Sequence, residues 1–182
     1  MDSLNPLTYL TPFLDVIRSE TTTGLITGLA LTSVEKFLAY GLLEIHLHGN
    51  SNTSQNVKGV AMETIAEAVI QARFIRSRSS SDEVVLMKIV HLLRTLLLIP
   101  SGCLLSNEMV IEVLQNCLRI CLESQLSELL RRTTEQFLAS IVQLFFSRLP
   151  SLLAANGNYP VRFHLTEKEL AFLNSLINRL LL

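Results

Sequence analysis

The residues of this chain whose spacing most resembles that of a metal-binding site are one pair of cysteines and one pair of histidines. Cys117 and Cys121 lie four positions apart, so a helix would present both thiols on one face, as in half of a zinc site. No further ligands accompany them, and cysteine is commonly a small buried residue, so we interpret the pair as core packing. His46 and His48 lack a nearby carboxylate or thiol to complete a metal site, and we interpret them as solvated loop residues.

Catalytic groups and nucleotide-binding loops are not legible in the rest of the sequence. A hydrolase or transferase needs a nucleophile, a base and an orienting group that converge. The glycine-rich motifs that cradle phosphates are missing as well. We interpret His91, which leucines follow, as a histidine at a helix contact. The expectation is a chain with no catalytic residue, no metal and no cofactor.

A short basic and serine-rich segment, 76–81, has the pattern of a target for a basophilic protein kinase. A phosphate on Ser79 or Ser80 would lie just before the helix predicted to begin at Ser81, where the helix dipole favours negative charge. The alternative, which we favour, is a solvated turn whose serine caps that helix. Ser79 and Ser80 are therefore regulatory candidates only.

The chain that carries these candidate residues is predicted to be helical. Apolar positions recur at helical spacing, and no segment shows sustained strand-like alternation. The first helix is predicted at about 11–19, with Thr11 as its cap and Pro12 as its first residue. The second follows the glycines and stops at Gly41, and its predicted buried stripe is Ile26, Leu29, Ala30, Val34, Phe37 and Leu38. The others are predicted at about 56–74, 81–99, 106–123, 127–149 and 166–182. The predicted inward positions are Val57, Ala61, Ile65, Ala68 and Ala72 in the third helix, Val110, Leu114, Cys117, Leu118 and Cys121 in the fifth, and Leu130, Phe137, Ile141, Leu144 and Phe145 in the sixth. The sixth is expected to end before Pro150.

The spacing of the helices predicts their arrangement. Helices three to six start about 25 residues apart, so pairs repeat near the ~40 to 47 residues of armadillo and HEAT arrays. Short amphipathic helices in this number cannot all face one axis, which argues against a four-helix bundle. We predict an all-α, armadillo/HEAT-like array of about seven antiparallel helices. Residues 1–153 would form this helical-repeat domain, and 154–182 a linker and an amphipathic helix.

Composition favours protein partners. Charged residues make up only 17% of the chain, below the roughly 25% of ordinary soluble domains, so much of the surface should be apolar or merely polar. A net charge of −1 without a run of like charges excludes a phosphate-neutralising face, so nucleic acid is not an expected partner. An odd number of cysteines, no secretory signal and no bilayer-spanning apolar run predict a soluble protein of a reducing compartment.

Several blocks of sequence go beyond a helical pattern. They are 12–20, 22–24, 26–34, 81–89, 92–98, 105–108, 117–121, 126–131 and 147–150. In this order they resemble the dimerisation and cyclophilin-binding (DCB) domain of the large Golgi Arf guanine-nucleotide exchange factors, within the Golgi-specific, brefeldin-resistance branch. The resemblance covers about 10–152. The family's first helices are missing before Met1, its Asp-Pro is missing at 76–80, and 156–182 matches nothing in it.

This resemblance implies a function without catalysis. The family's domain is an armadillo-like array that self-associates, contacts the adjacent regulatory region of the same factor and in some members binds a small GTPase or a cyclophilin. Exchange belongs to a separate catalytic domain, of which this chain holds no part. The expected function is a dimerisation and regulatory scaffold in Golgi vesicle transport, cytoplasmic and recruited peripherally to Golgi membranes. The alternative is an adaptor that binds an activated Arf-like or Rab GTPase.

The resemblance also carries two dimer contacts over to this chain, Lys36 within 34–38 and Glu83 within 81–84. Opposite charges on two helix ends suit an isologous contact, since a two-fold axis uses each pair twice. The alternative is that Lys36 is a solvated lysine and Glu83 a first-turn acid that complements its helix dipole. For the last predicted helix, 166–182, docking onto the array is favoured over a membrane interface because only two basic residues flank its apolar stripe.

Overall fold

The computed structural model describes residues 5–43, 52–72, 80–123 and 126–155 of the chain. Within those ranges the chain is helical, without a strand, so the predicted all-α class is confirmed. The elements are α1 Pro6–Arg18, α2 Gly24–Ala39, α3 Asn52–Gln71, α4 Ser80–Leu98, a 3-10 helix Pro100–Leu104, α5 Asn107–Leu122 and α6 Glu128–Ala155. The predicted helix at 166–182 lies outside the described residues.

Helix α1 begins at Pro6, so the prediction of Thr11 as cap and Pro12 as first residue was wrong. Asn5 is the cap, because its side-chain Oδ1 accepts a hydrogen bond from the Leu7 N–H at 3.1 Å. Asn5–Pro6 and Thr11–Pro12 both have the pattern of a capping residue followed by proline that is typical of a helix start. The helix begins at the first of the two pairs. Pro12 then lies inside the helix at an exposed position, where water can replace the hydrogen bond it removes.

Helix α2 ends as the sequence predicts, at a glycine. The helix runs to Ala39, and Gly41 adopts a φ of 73°, a left-handed conformation that favours glycine. The Gly41 N–H donates to the Leu38 carbonyl at 3.0 Å, which satisfies one of the free carbonyls of the last turn.

Helix α6 continues through Pro150 to Ala155, so the prediction that it ends before Pro150 was wrong. A proline removes one helical hydrogen bond and commonly ends or kinks a helix. Here the residues beyond it, 151–155, are mostly leucine and alanine, which have high helix propensity. That propensity explains why the helix resumes its course past the proline.

The chain divides into two compact units, Met1–Val113 and Leu114–Leu182. In the first unit, α1 packs against α2 and α3, and α4 packs against the same two helices. Helices α1 and α3 therefore form one layer, and α2 and α4 form a second. Two stacked helical hairpins produce this pattern, as in a helical-repeat array.

The core of the first unit draws on all four helices. Its apolar residues that are no more than 1% exposed are Leu10, Leu14, Leu31, Val34, Leu43, Ala61, Met62, Ile65, Ala66, Ala68, Val69, Val90, Leu92, Leu93, Leu96 and, in α5, Val113. Three inward positions predicted for α3, namely Ala61, Ile65 and Ala68, are among them. Each large aliphatic side chain buried in this way stabilises the fold by roughly 1.5–3 kcal/mol.

Helix α2 departs from the single buried stripe that its sequence suggests. Ala30, Val34 and Leu38 are buried as expected, but Ile26 and Leu29, which were placed in the same stripe, are exposed. The helix is apolar on both faces, so periodicity alone cannot choose between them. Its packed face passes through Gly28, which is buried.

In the second unit, the predicted inward positions are confirmed except for Leu114 and Leu144, which are half-buried, while the side chain of Phe145 lies outside the described residues. Cys117, Leu118 and Cys121 of α5 are buried. In α6, the same holds for Leu130, Phe137 and Ile141.

Candidate interaction surface

Three hydrogen bonds determine how α4 lies against α2. The ammonium group of Lys88 donates to the Gly28 carbonyl at 3.0 Å and to Thr32 Oγ1 at 2.8 Å. Beyond the C-terminal ends of the two helices, Ser101 Oγ donates to the Leu43 carbonyl at 2.6 Å. The middle parts of the helices therefore meet, and so do the segments that follow their C-terminal ends, which makes α2 and α4 parallel. A residue of α2 lies level with the residue 56 to 60 positions further along the chain.

Lys88 occupies the seam between the two helices, where it is half-buried. The lysine side chain packs directly against Gly28, where a Cβ atom would lie 3.6 Å from it, an ordinary contact distance. Thr32 Oγ1 itself donates to the Gly28 carbonyl at 2.8 Å, so the three groups form one polar cluster. Within the described part of the chain no carboxylate pairs with Lys88. The lysine thus acts as a hydrogen-bonding tie between α4 and α2.

The sides of α2 and α4 that face away from α1 and α3 form one surface, which we call the α2–α4 face. Its exposed residues are Leu25, Leu29, Lys36 and Tyr40 on α2, and Val84, His91, Arg94 and Leu98 on α4. On each helix these positions fall on one side, as 3.6 residues per turn requires. On α2 the exposed residues lie next to Gly28 and Thr32, and on α4 they lie next to Lys88. The exposed residues of the two helices therefore adjoin along the seam.

The α2–α4 face is apolar at its early end and basic further along. Leu25 is 74% exposed, Leu29 60% and Val84 56%, which is unusual for large apolar side chains grouped on one surface. Lys36 and Arg94 are exposed and lie level with each other on neighbouring helices. Sequence reasoning had not singled out Arg94. The sequence feature that could have indicated its exposure is its charge within the mainly apolar segment 84–99.

The two predicted dimer residues lie at different levels of this surface. Lys36 is exposed on the last turn of α2, and within the described residues it makes no ion pair. Glu83 is half-buried in the first turn of α4, next to Val84 and level with Leu25. Eleven residues of helix separate the two levels, or roughly 16 Å at 1.5 Å per residue. One chain therefore does not bring Lys36 and Glu83 together.

The cysteine pair is placed as core rather than as a reactive site. Burial raises the pKa of the Cys117 thiol far above its usual value, and the neighbouring Cys121 raises it further. Burial also raises the pKa of Cys121 to about 12, with Glu135 adding to the rise and Arg131 opposing it. Both thiols are protonated at neutral pH, so neither is a ready nucleophile or metal ligand.

The remaining predicted residues are placed as follows. His91 is exposed on α4, so its predicted location at a helix contact was wrong: the helix turns that position outward, between Val84 and Leu98 on the same strip. Ser80 is the first residue of α4, but its side chain lies outside the described residues, as do Ser79, His46 and His48 entirely. No helix in the described ranges is both long and apolar enough to cross a bilayer.

Comparison with known proteins gives a consistent set of relatives. No family model matches the chain. It is 48% identical over 152 residues to the Golgi-specific brefeldin A-resistance guanine nucleotide exchange factor 1 homolog of Caenorhabditis elegans, a match that covers 82% of this chain. It is 34% identical over 158 residues, 87% of the chain, to ARF guanine-nucleotide exchange factor 2 of Saccharomyces cerevisiae. With the ARF guanine-nucleotide exchange factor GNOM of Arabidopsis thaliana, the identity is 35% over 151 residues, 82% of the chain.

These relatives are much longer proteins. The matched span is 7% of the Caenorhabditis elegans protein and 10% of each of the other two. The similarity therefore concerns one segment of an exchange factor. Over that segment, animal, fungal and plant sequences align with most of this chain, and the chain is therefore homologous to one segment of the ARF guanine-nucleotide exchange factors.

Proposed function

We propose that this chain is a non-catalytic dimerisation and regulatory domain of an ARF guanine-nucleotide exchange factor and that two copies associate through the α2–α4 face. The relatives' names supply the exchange-factor setting, and the small share of each relative that is matched suits an auxiliary domain. The name of the Caenorhabditis elegans protein supports a role at the Golgi. In this proposal the chain is cytoplasmic, is recruited peripherally to Golgi membranes and contacts the adjacent regulatory domain of its own factor.

The observation that carries the proposal is the make-up of the α2–α4 face. Leu25, Leu29 and Val84 expose large apolar side chains on one surface of a well-packed unit. Exposed apolar residues grouped in this way commonly mark a protein–protein contact. Covering them would remove apolar area from water, which favours association at about 25 cal/mol per Å² before the costs of binding are counted.

Charge supports a second copy as the occupant. Lys36 has no ion pair within the described residues, while the acidic residue Glu83 lies at the opposite end of the same face. A surface with a basic residue at one end and an acidic residue at the other is self-complementary when two copies meet in opposite orientations across a two-fold axis. Each Lys36 would then face Glu83 of the other copy, and the pair would occur twice.

Mass in solution tests this proposal. At tens of micromolar the unaltered chain should be a dimer, and Lys36→Ala or Glu83→Ala should each weaken association at least tenfold. The exchanged pair Lys36→Glu with Glu83→Lys should restore the dimer, because the charges are swapped and not lost. Arg119→Ala and Glu112→Ala, which change exposed residues of α5, are the matched controls and should leave the mass unchanged. A monomeric unaltered chain, or single variants that dimerise normally, would overturn the proposal.

A small GTPase is the rival occupant of this face. If the chain is monomeric and captures a GTP-loaded but not a GDP-loaded Arf-like or Rab protein through Leu25 and Leu29, an adaptor function replaces the dimer. Capture that is equal for both nucleotide states, or that survives Leu29→Asp, counts against this rival.

A further inference from the structure

We draw no further inference here: the strongest candidate, the surface patch that half-buried Tyr9, Phe13 and Phe37 form with exposed Leu42 where α1 lies against the end of α2, carries nothing because no feature of the described residues shows what covers it.

Discussion

The ammonium group of Lys88 on α4 donates to the carbonyl oxygen of Gly28 on α2 at 3.0 Å, across the seam between two parallel helices. The contact joins residues that are 60 positions apart in sequence. It needs a long side chain with an N–H donor on one helix that can reach a backbone carbonyl of the other. The register of the α2–α4 face, and with it the level of every residue on that face, depends on this pairing.

Replacing Lys88 should loosen the seam. Lys88→Met keeps the length of the side chain but removes both hydrogen bonds, and we expect the free energy of unfolding to fall by about 1–2 kcal/mol. Urea unfolding followed by circular dichroism measures the change. Arg119→Met, at an exposed position of α5, is the control and should stay within about 0.5 kcal/mol of the unaltered chain. Equal stability of both variants would show that the Lys88 tie contributes nothing.

Ser101 should be as sensitive as Lys88 despite its small size. Its side chain is 1% exposed, and its hydroxyl donates to the Leu43 carbonyl at 2.6 Å. Ser101→Ala leaves that carbonyl without this donor in a buried place, so we expect a loss of about 1–2 kcal/mol in thermal or urea unfolding. Ser140→Ala removes a hydroxyl that bonds only to its own helix, and should have little effect. A similar loss in both variants would contradict the role given to the Leu43 contact.

Two glycines should respond in opposite directions to alanine. At Gly102 a Cβ atom would lie 2.5 Å from the Leu96 carbonyl oxygen, so the backbone must shift, and Gly102→Ala should destabilise the fold by about 1–3 kcal/mol. At Gly59, inside α3, the nearest atoms would be 3.8 Å away. Gly59→Ala should therefore raise stability by about 0.5–1 kcal/mol through helix propensity. Differential scanning calorimetry of the pair gives the comparison, and the same sign for both changes would refute it.

The buried thiols should make the fold less stable in alkali. The pKa of Cys117 and that of Cys121 are both raised in the folded chain, from 9.0 in the second case to about 12. The folded state therefore holds its protons longer than the unfolded state does, and stability falls as the pH rises above about 9. Each thiol should contribute a slope of up to about 1.4 kcal/mol per pH unit there.

Urea unfolding between pH 8 and pH 10 tests this slope. Replacing both Cys117 and Cys121 with alanine should lower stability at pH 8 because it leaves cavities, but should flatten the alkaline decline. Cys103→Ala, at an exposed thiol, should leave the decline as it is. An unchanged slope in the double variant would mean that other groups cause the decline.

Much of the fold can be predicted from the sequence because the helices have regular apolar spacing. The inward positions of α3, such as Ile65, and those of α5, such as Cys117, follow from that spacing and are confirmed. The start of α1 and the end of α6 were misplaced because proline gives the same local signal at a helix start, inside a helix and after its end. Local chemistry alone does not decide among these positions.

The α2–α4 face could be predicted only in part. Lys36 and Glu83 came from a family resemblance, whereas Leu29 and Arg94 depend on which side of α2 and α4 faces the core. Since α2 carries apolar residues on both faces, that choice is made by tertiary contacts between residues far apart in sequence. The tie from Lys88 to Gly28 is one such contact, and no periodic pattern signals it.

The ties at Lys88 and Ser101 have a consequence for any partner of this surface. They tie α2 to α4 near the middle of the two helices and again just beyond their C-terminal ends, and two such ties oppose sliding and splaying of the helices. A partner that lands on the α2–α4 face has little backbone freedom to remove, which keeps the entropic penalty of association small. The affinity for a partner should then depend mainly on the shape and charge of the partner's surface. Ordering of the α2–α4 face on binding should contribute little to it.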